Sequence, residues 1–445
     1  MSIIHSLHLL DVKVTPGRAV ALATGEVRIQ YLIDVRPNIK NSKAPPTDIR
    51  FVIDVSGSMS EAADIDGSGL SKLEAIKNGV ADFVSKLTPD DFAMLVVFSE
   101  GAEILFPHQR LGRHSKLKLE QILRGLATQG NTRFSEALEE AIGPSFGRGT
   151  VPRLAFLTDG QTNNNPMQDI ERAKQFARES EHQNLPWLMY GTGVSYDEHL
   201  LNELAHLGAP GSAMAHVANV AALEAELGKQ LSFVRGTAIE RLTVEGITLG
   251  GKFVSVTRFM PVQNEVTLSG NAERFLDRSG SIDPYRGQQF FLELEMDQPL
   301  PGEHDVLTLI FRGWSLARKK GFEVPLTLRQ EFTDLANRQS MPHPDVVRTQ
   351  QAKIACEMAR REEEEAQNRA ADIFDHIGDT GTADTIRRAI KLRREHGAGH
   401  HTALDAARTV GTFTTRSVTE CHTQVCDDED VKPRRRWHDS DPSTH

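Results

Sequence analysis

The chain has 445 residues and a formal net charge of -10 at neutral pH, so nucleic acid is not expected as its main partner. Hydrophobic residues make up 39% and charged residues 25%, which allows a substantial core, and this length predicts about three domains. No apolar run approaches the roughly 18 residues of a membrane-spanning helix, so no membrane association is expected.

Cysteine usage and the first residues bear on the cellular compartment. The three cysteines, Cys356, Cys421 and Cys426, all lie late in the sequence, which fits a reducing compartment without a disulfide framework. Residues 1–10 lack a charged start followed by a long apolar stretch, so a secretory signal is not expected. We therefore predict a cytoplasmic protein.

The first segment, residues 1–47, has the pattern of β-strands. Apolar and polar residues alternate over 26–35 and, with one slip, over 7–14. Two strands do not form a stable domain alone, so we expect them to pair with strands from elsewhere. Residues 38–46 are polar and contain proline, which predicts a linker.

Strands and helices alternate over residues 48–235, the pattern of a doubly wound, mostly parallel α/β unit. Apolar runs predict strands, and segments with apolar residues at helical spacing predict helices. The predicted strands are 49–53, 91–98, 103–106, 154–159, 186–190 and 213–217, and the predicted helices are 72–87, 116–126, 134–142, 169–182, 198–207 and 220–234.

Oxygen-bearing residues occur in three separated loops of this unit. Asp54, Ser56 and Ser58 alternate in the turn behind the first strand. Thr132 lies in a later glycine-containing loop, and Asp159 ends another strand. Because ligands bind at the carboxyl ends of parallel strands, where strand order reverses, these side chains are expected to share one crevice. Oxygen ligands suit a hard cation, so the pattern predicts a site for Mg²⁺, or for Mn²⁺ or Ca²⁺. A polar turn that caps the next helix is the alternative for the first motif.

These motifs resemble the metal-ion-dependent adhesion site of von Willebrand factor type A domains, also called integrin I-type domains. The resemblance rests on the Asp54–Ser58 turn, the Gly130–Thr132 loop and the Thr158–Gly160 strand end, within residues 48–235. It implies that the direct metal ligands are Asp54, Ser56, Ser58 and Thr132, with Asp159 acting directly or through water. It also implies that an Asp or Glu carboxylate of a partner protein binds the open position of the metal.

Residues 236–332 return to a period of two, which predicts an antiparallel β-sandwich. Its predicted strands are 239–247, 253–259, 265–269, 290–296, 305–312 and 322–328. Residues 1–47 are expected to complete this sandwich, which makes the α/β unit an insertion. The layout resembles that of bacterial chloride-channel-like von Willebrand factor type A proteins, in architecture and spacing alone; the sequence contains no pore-forming segment.

Residues 340–408 are predicted to be helical. A long helix over 345–375 and a basic helix over 385–395 would form a hairpin, and packing on the sandwich is favoured because isolated helix pairs are marginal. Residues 409–445 lack apolar periodicity and predict a flexible, disordered tail. The late histidines and cysteines lack the close ligand pairs of a structural zinc site, so an ordinary tail is favoured over a zinc site. The threonines of the tail are candidate phosphorylation targets.

The predicted function is that of a divalent-metal-dependent protein-interaction module, an adaptor without enzymatic activity. Its partner is expected to present Asp or Glu, and the family resemblance allows an AAA+ ATPase or a phospho-signalling protein. One alternative is a structural scaffold whose metal site mainly stabilises the fold. The other is a metal-dependent hydrolase, which the sequence disfavours because it has no P-loop, H-E-x-x-H or dinucleotide-binding glycine pattern.

Overall fold

The computed structural model describes residues 2–39, 43–62, 69–143, 149–159, 166–192, 196–217, 219–259, 263–284, 287–361, 363–397, 406–407 and 410. The strands are β1 (Ile3–Leu7), β2 (Leu10–Pro16), β3 (Val20–Leu22), β4 (Val27–Pro37), β5 (Thr47–Asp54), β6 (Phe92–Phe98), β7 (Ala102–Arg110), β8 (Val151–Thr158), β9 (Trp187–Thr192), β10 (Ala213–Val217), β11 (Ile239–Thr248), β12 (Gly251–Arg258), β13 (Asn264–Glu265), β14 (Leu268–Ser269), β15 (Arg274–Ile282), β16 (Gln288–Met296), β17 (Gly302–Ser315) and β18 (Lys320–Thr333). The α-helices are α1 (Lys72–Ser85), α2 (Arg113–Gly125), α3 (Ser135–Ala141), α4 (Pro166–Gln183), α5 (Glu198–Leu207), α6 (Val220–Gly236), α7 (Pro344–Ala359), α8 (Glu364–His376) and α9 (Thr380–His396).

The α/β unit is built on a six-stranded sheet in the order β10-β9-β8-β5-β6-β7, parallel except for β7. Strand β5 is buried along its whole length because helices cover both faces of the sheet. Helices α1, α2 and α6 pack on one face, and α3, α4 and α5 on the other. The chain moves outward from β5 in both directions, so the strand order reverses between β5 and β8.

The second unit is a sandwich of two six-stranded sheets, β1-β2-β4-β16-β12-β13 and β14-β15-β11-β17-β18-β3. The N-terminal strands belong to both sheets: β4 pairs with β16, and β3 runs parallel to β18. One apolar core fills the space between the sheets. The predicted fold class, an α/β unit inserted into a β-sandwich that the first strands complete, is therefore confirmed.

The strand β15 was not predicted, and the prediction of one strand over 265–269 was wrong, since two short strands, β13 and β14, occupy that segment. Strand β15 is not recognised from hydropathy because polar residues occupy several of its buried positions. Asp277 and Ser279 are buried there, and Asp277 pairs with Arg258 of the opposite sheet. Buried polar groups are tolerated when they are paired, so this strand needs few apolar residues.

Gly280 lies where the sandwich comes closest to the α/β unit. Its φ is +75°, and a Cβ atom there would lie 2.6 Å from the Pro210 carbonyl oxygen. Gly25 has a similar φ of +80° with nothing within 4 Å of its hypothetical Cβ. Both Gly→Ala variants should lose about 1–2 kcal/mol to the left-handed backbone. Gly280→Ala should lose about 1–3 kcal/mol more, because the two units must move apart. Urea unfolding measures both losses, and equal losses would show that the close approach is unimportant.

The described part of the C-terminal region contains three helices, where a two-helix hairpin was predicted. The predicted helix over 345–375 is interrupted between α7 and α8, and α8 packs against both α7 and α9. The buried Gln367 amide donates hydrogen bonds to the carbonyl oxygens of Ala359 and Arg361 at 3.3 and 2.9 Å. These bonds satisfy backbone carbonyl groups at the break between the two helices. Because a side chain of α8 supplies them, the break needs no helix-terminating Gly or Pro.

The helical region packs on the sandwich, as expected. Val346 of α7 is buried with Leu32, Phe259 and Phe291 of the sandwich unit. Val410 is buried with Ala406 in the helical core, and the rest of the predicted tail, with its candidate zinc and phosphorylation residues, lies outside the described residues. None of the helices in the described parts of the chain is long and apolar enough to cross a membrane.

Candidate metal centre

Two acidic residues meet at the carboxyl edge of the sheet. Asp54 ends β5 and Asp159 follows β8, and because these strands are parallel neighbours both residues leave the sheet at the same edge. Both side chains are 0% exposed. Burial, and next the charge of Asp159, raise the pKa of Asp54 to about 6. A cation between the two carboxylates would stabilise the ionised form of Asp54.

Two hydrogen bonds fix the Asp54 carboxylate. The Ser56 backbone N–H donates to its Oδ1 atom at 2.8 Å. The Thr158 hydroxyl donates to its Oδ2 atom at 2.7 Å, from the last position of β8. No separate role was predicted for Thr158. The sequence feature that could have indicated one is a polar residue at the end of an apolar strand, directly before an acidic residue.

The predicted hydroxyl ligands Ser56 and Ser58 lie side by side in the turn behind β5. Their Oγ atoms are 3.1 Å apart. Ser56 is buried and Ser58 is half-buried. A short 3₁₀ helix, Gly57–Ser60, forms this turn, and Met59 anchors it in the core between the sheet and α1. The turn therefore presents two hydroxyls next to the Asp54 carboxylate.

The Thr132 loop is tied directly to this turn. The Gly57 N–H donates to the Gly130 carbonyl at 3.1 Å, and the Gln129 N–H donates to the Val55 carbonyl at 2.6 Å. Gly130 has a φ of +64°, a conformation that favours glycine. Thr132 is 1% exposed. The structure thus brings this loop and the Asp54 turn together at the same edge.

Asp159 is held by a lysine that the sequence analysis did not single out. Lys72, the first residue of α1, places its Nζ atom 3.2 Å from Asp159 Oδ2 and 2.7 Å from Glu61 Oε2. The Lys72 side chain is 3% exposed. Asp159 Oδ1 is also buried, and it has no hydrogen-bond partner among the residues that the structure describes. Only the tertiary fold brings Lys72 to Asp159, so no local pattern could have revealed the contact.

This set of groups fits a hard divalent cation. Two carboxylates and nearby hydroxyls are the oxygen donors that Mg²⁺ prefers, and the buried Asp159 Oδ1 atom has a lone pair to offer. Within the described ranges, no three His, Cys, Asp or Glu side chains form a cluster able to hold a metal ion. An ion at this edge would therefore depend on hydroxyl oxygens. The assignment of Asp54, Ser56, Ser58, Thr132 and Asp159 as ligands remains a prediction.

Comparison with known proteins identifies the type of the α/β unit. Residues 49–161 match the family model described as von Willebrand factor type A domain. The matched segment runs from β5 past β8, so it contains the Asp54 turn, the Thr132 loop and Asp159. The predicted resemblance to this domain is confirmed. The match does not test the metal site or the resemblance to chloride-channel-like proteins.

Two solved structures share the fold over almost the whole chain. A von Willebrand factor type A protein from Catenulispora acidiphila gives a TM-score of 0.70 at 16% identity, covering 94% of this chain and 99% of that one. The ArnB paralog VWA2 from Sulfolobus acidocaldarius gives a TM-score of 0.56 at 14% identity, covering 92% and 98%. At these identities the likeness establishes the fold alone.

A curated relative extends the comparison to a named activity. The probable E3 ubiquitin-protein ligase WAVH2 of Arabidopsis thaliana is 23% identical over 312 residues, which are 67% of this chain and 41% of that protein. The chain thus spans less than half the length of this relative.

Proposed function

We propose that the von Willebrand factor type A domain of this chain is a metal-dependent adaptor. It binds a divalent cation, Mg²⁺ above all, between Asp54 and Asp159, and the cation in turn binds an Asp or Glu carboxylate of a partner protein. The observation that supports this most is the buried Asp159 Oδ1 atom beside Asp54, because a buried carboxylate oxygen without a partner is costly and a cation would satisfy it.

Each predicted ligand has a place in this proposal. Asp54, Ser56, Ser58 and Thr132 would hold the cation, and Asp159 would bind it directly or through water. The hydroxyls are neutral, so much of the charge of the cation would remain uncompensated and would attract an incoming carboxylate. Thr158 would keep Asp54 oriented through its 2.7 Å hydrogen bond.

The partner is a protein that offers an acidic side chain. The candidate partner classes are AAA+ ATPases and phospho-signalling proteins. We place the contact in the cytoplasm because the few cysteines fit a reducing compartment. A scaffold role, in which the cation only stabilises the fold, is the main alternative. It predicts a metal-dependent melting temperature with partner binding that does not depend on metal.

The plant relative suggests a second candidate, a role in ubiquitin ligation. An adaptor that holds the protein to be modified would use the same metal-bound carboxylate. Ligation itself is less well supported, because the three cysteines include no closely spaced pair of the kind found in the zinc sites of RING domains. We therefore propose the adaptor role without enzymatic activity, and a ubiquitin-transfer assay with this chain should give no product.

Affinity capture tests the adaptor role. The immobilised chain is incubated with cell extract in Mg²⁺ or in EDTA, and captured proteins are eluted with EDTA and identified by mass spectrometry. We expect one set of proteins to depend on Mg²⁺ and to be lost when a single Asp or Glu of the partner is replaced by its amide. Equal capture in Mg²⁺ and EDTA would refute the adaptor role.

A further inference from the structure

A buried lysine at the metal centre has no part in the proposed function. The Lys72 ammonium contacts Asp159 Oδ2 and Glu61 Oε2, at 3.2 and 2.7 Å. A lysine that is 3% exposed must be compensated by carboxylates, and Asp159 is the one of these two that is itself fully buried. The same Asp159 is a predicted ligand of the divalent cation, so lysine and cation share one carboxylate.

The backbone holds this lysine in place. The Lys72 N–H donates to the Glu61 carbonyl at 2.9 Å, and Ala62 and Ser71 form an antiparallel bridge. Ser71 and Glu74 cap the start of α1 reciprocally. We call this arrangement the Glu61–Lys72 clamp. The clamp fixes the backbone at the start of α1, from which the Lys72 side chain reaches Asp159.

The charges of the site show what the lysine does. Asp54 and Asp159 are fully buried and contribute two negative charges, and Lys72 contributes one positive charge beside them. Glu61 is 64% exposed, so water screens most of its charge. In surroundings of low polarity, the repulsion between an ammonium and a nearby divalent cation is strong. When no metal is bound, the ammonium also neutralises Asp159. The electrostatic free energy gained when a cation binds is therefore smaller.

We infer that Lys72 sets the affinity of the metal centre. Its ammonium competes with the divalent ion for Asp159 and lowers the affinity of the site for that ion. This inference rests on the proposed metal site. The carboxylate of a partner would restore the negative charge that Lys72 removes. Metal and partner should therefore bind cooperatively, each raising the affinity of the chain for the other.

Calorimetric titration of the full chain with MnCl₂ tests the inference. Lys72→Met removes the charge and keeps the length, and it should raise the Mn²⁺ affinity about tenfold or more. Lys72→Arg keeps a positive charge and should raise the affinity far less. Lys77→Met is the control, because Lys77 lies five residues further along α1 and donates to the Leu126 carbonyl instead. It should leave the affinity unchanged.

A second measurement covers the case in which metal-free Lys72→Met is too unstable to titrate. Its melting temperature should then rise more on addition of MnCl₂ than that of the wild type. Wild-type binding with no tightening in Lys72→Met overturns the inference and leaves the proposed function standing. Equal tightening in Lys72→Arg also overturns it, since charge would not be the cause. If Lys72→Met binds Mn²⁺ and the wild type does not, the inference is supported and the proposed function of the native chain is refuted. If neither the wild type nor Lys72→Met binds Mn²⁺, both are refuted.

Discussion

Asp54→Asn should lower the affinity for Mn²⁺ at least about 100-fold, because groups that merely orient metal ligands are already worth about 10- to 100-fold. The amide keeps the size of the carboxylate and can still accept the hydrogen bond from the Ser56 N–H. It removes the negative charge that a cation needs. Calorimetric titration with MnCl₂ measures the loss, and retained affinity would exclude Asp54 as a ligand.

The same variant should not destabilise the protein when metal is absent. Burial and the charge of Asp159 raise the pKa of Asp54 from 3.8 to about 6, so its ionised form at pH 7 costs the folded state up to about 3 kcal/mol. In the variant an amide nitrogen replaces Oδ2, so the hydrogen bond from the Thr158 hydroxyl is lost, which costs about 1 kcal/mol. Urea unfolding in EDTA should therefore show Asp54→Asn to be as stable as the wild type or more stable by about 1–2 kcal/mol.

A half-buried aspartate on the surface of α1 provides the matched control for both measurements. Asp82 lies on α1 and pairs with Lys86 at 2.5 Å, with its side chain 35% exposed. Asp82→Asn should change the free energy of unfolding by less than about 1 kcal/mol and leave Mn²⁺ binding unaffected. If Asp54→Asn lost both metal affinity and metal-free stability, Asp54 would be a structural residue as much as a ligand.

Arg258→Met should lower the free energy of unfolding by about 3–5 kcal/mol. Arg258 of β12 reaches Asp277 of β15 at 2.9 and 3.2 Å, and these strands belong to opposite sheets of the sandwich. The two side chains are 9% and 7% exposed. Removing the arginine leaves the Asp277 carboxylate buried without the cation that it contacts in the native protein. Urea unfolding measures the loss.

Two further variants show whether the buried charge of Asp277 causes the loss of stability in Arg258→Met. Arg329→Met breaks an exposed pair with Asp305 and should cost less than about 1 kcal/mol. The double variant Arg258→Met, Asp277→Asn removes both charges and should recover a large part of the loss. A double variant as unstable as Arg258→Met would indicate that lost packing, and not an uncompensated charge, is responsible.

The α/β unit was predictable because its inner strands are buried on both faces. Such strands appear in the sequence as short apolar runs, like that from Leu154 to Leu157, with amphipathic helices between them. The strands of the sandwich were harder to predict, since β15 has the polar residues Asp277 and Ser279 at two of its buried positions. The break between α7 and α8 was missed for a similar reason: the amide of Gln367, and not a local breaker, satisfies the backbone there.

Some residues of the metal centre could likewise be predicted from the sequence, and others could not. Asp54, Ser56 and Ser58 form a local motif, and the order of the strands was enough to predict that Thr132 and Asp159 would lie near them. The roles of Thr158 and Lys72 depend on side-chain contacts across elements, at 2.7 Å to Asp54 and 3.2 Å to Asp159. A one-dimensional pattern carries no information about such distances, so these two residues required the structure.

The insertion of the α/β unit has a consequence for how the chain is made. Strand β4 pairs with β16, so that Val35 lies opposite Gln288. At a synthesis rate of about 5–20 residues per second, β4 leaves the ribosome roughly 10–50 s before its partner exists. The inserted domain, whose own contacts are closer in sequence, has time to fold during that wait. Newborn chains therefore carry an apolar strand that is paired with β2 along one edge only, next to a finished domain, and they depend on protection from aggregation until the second half of the sandwich arrives.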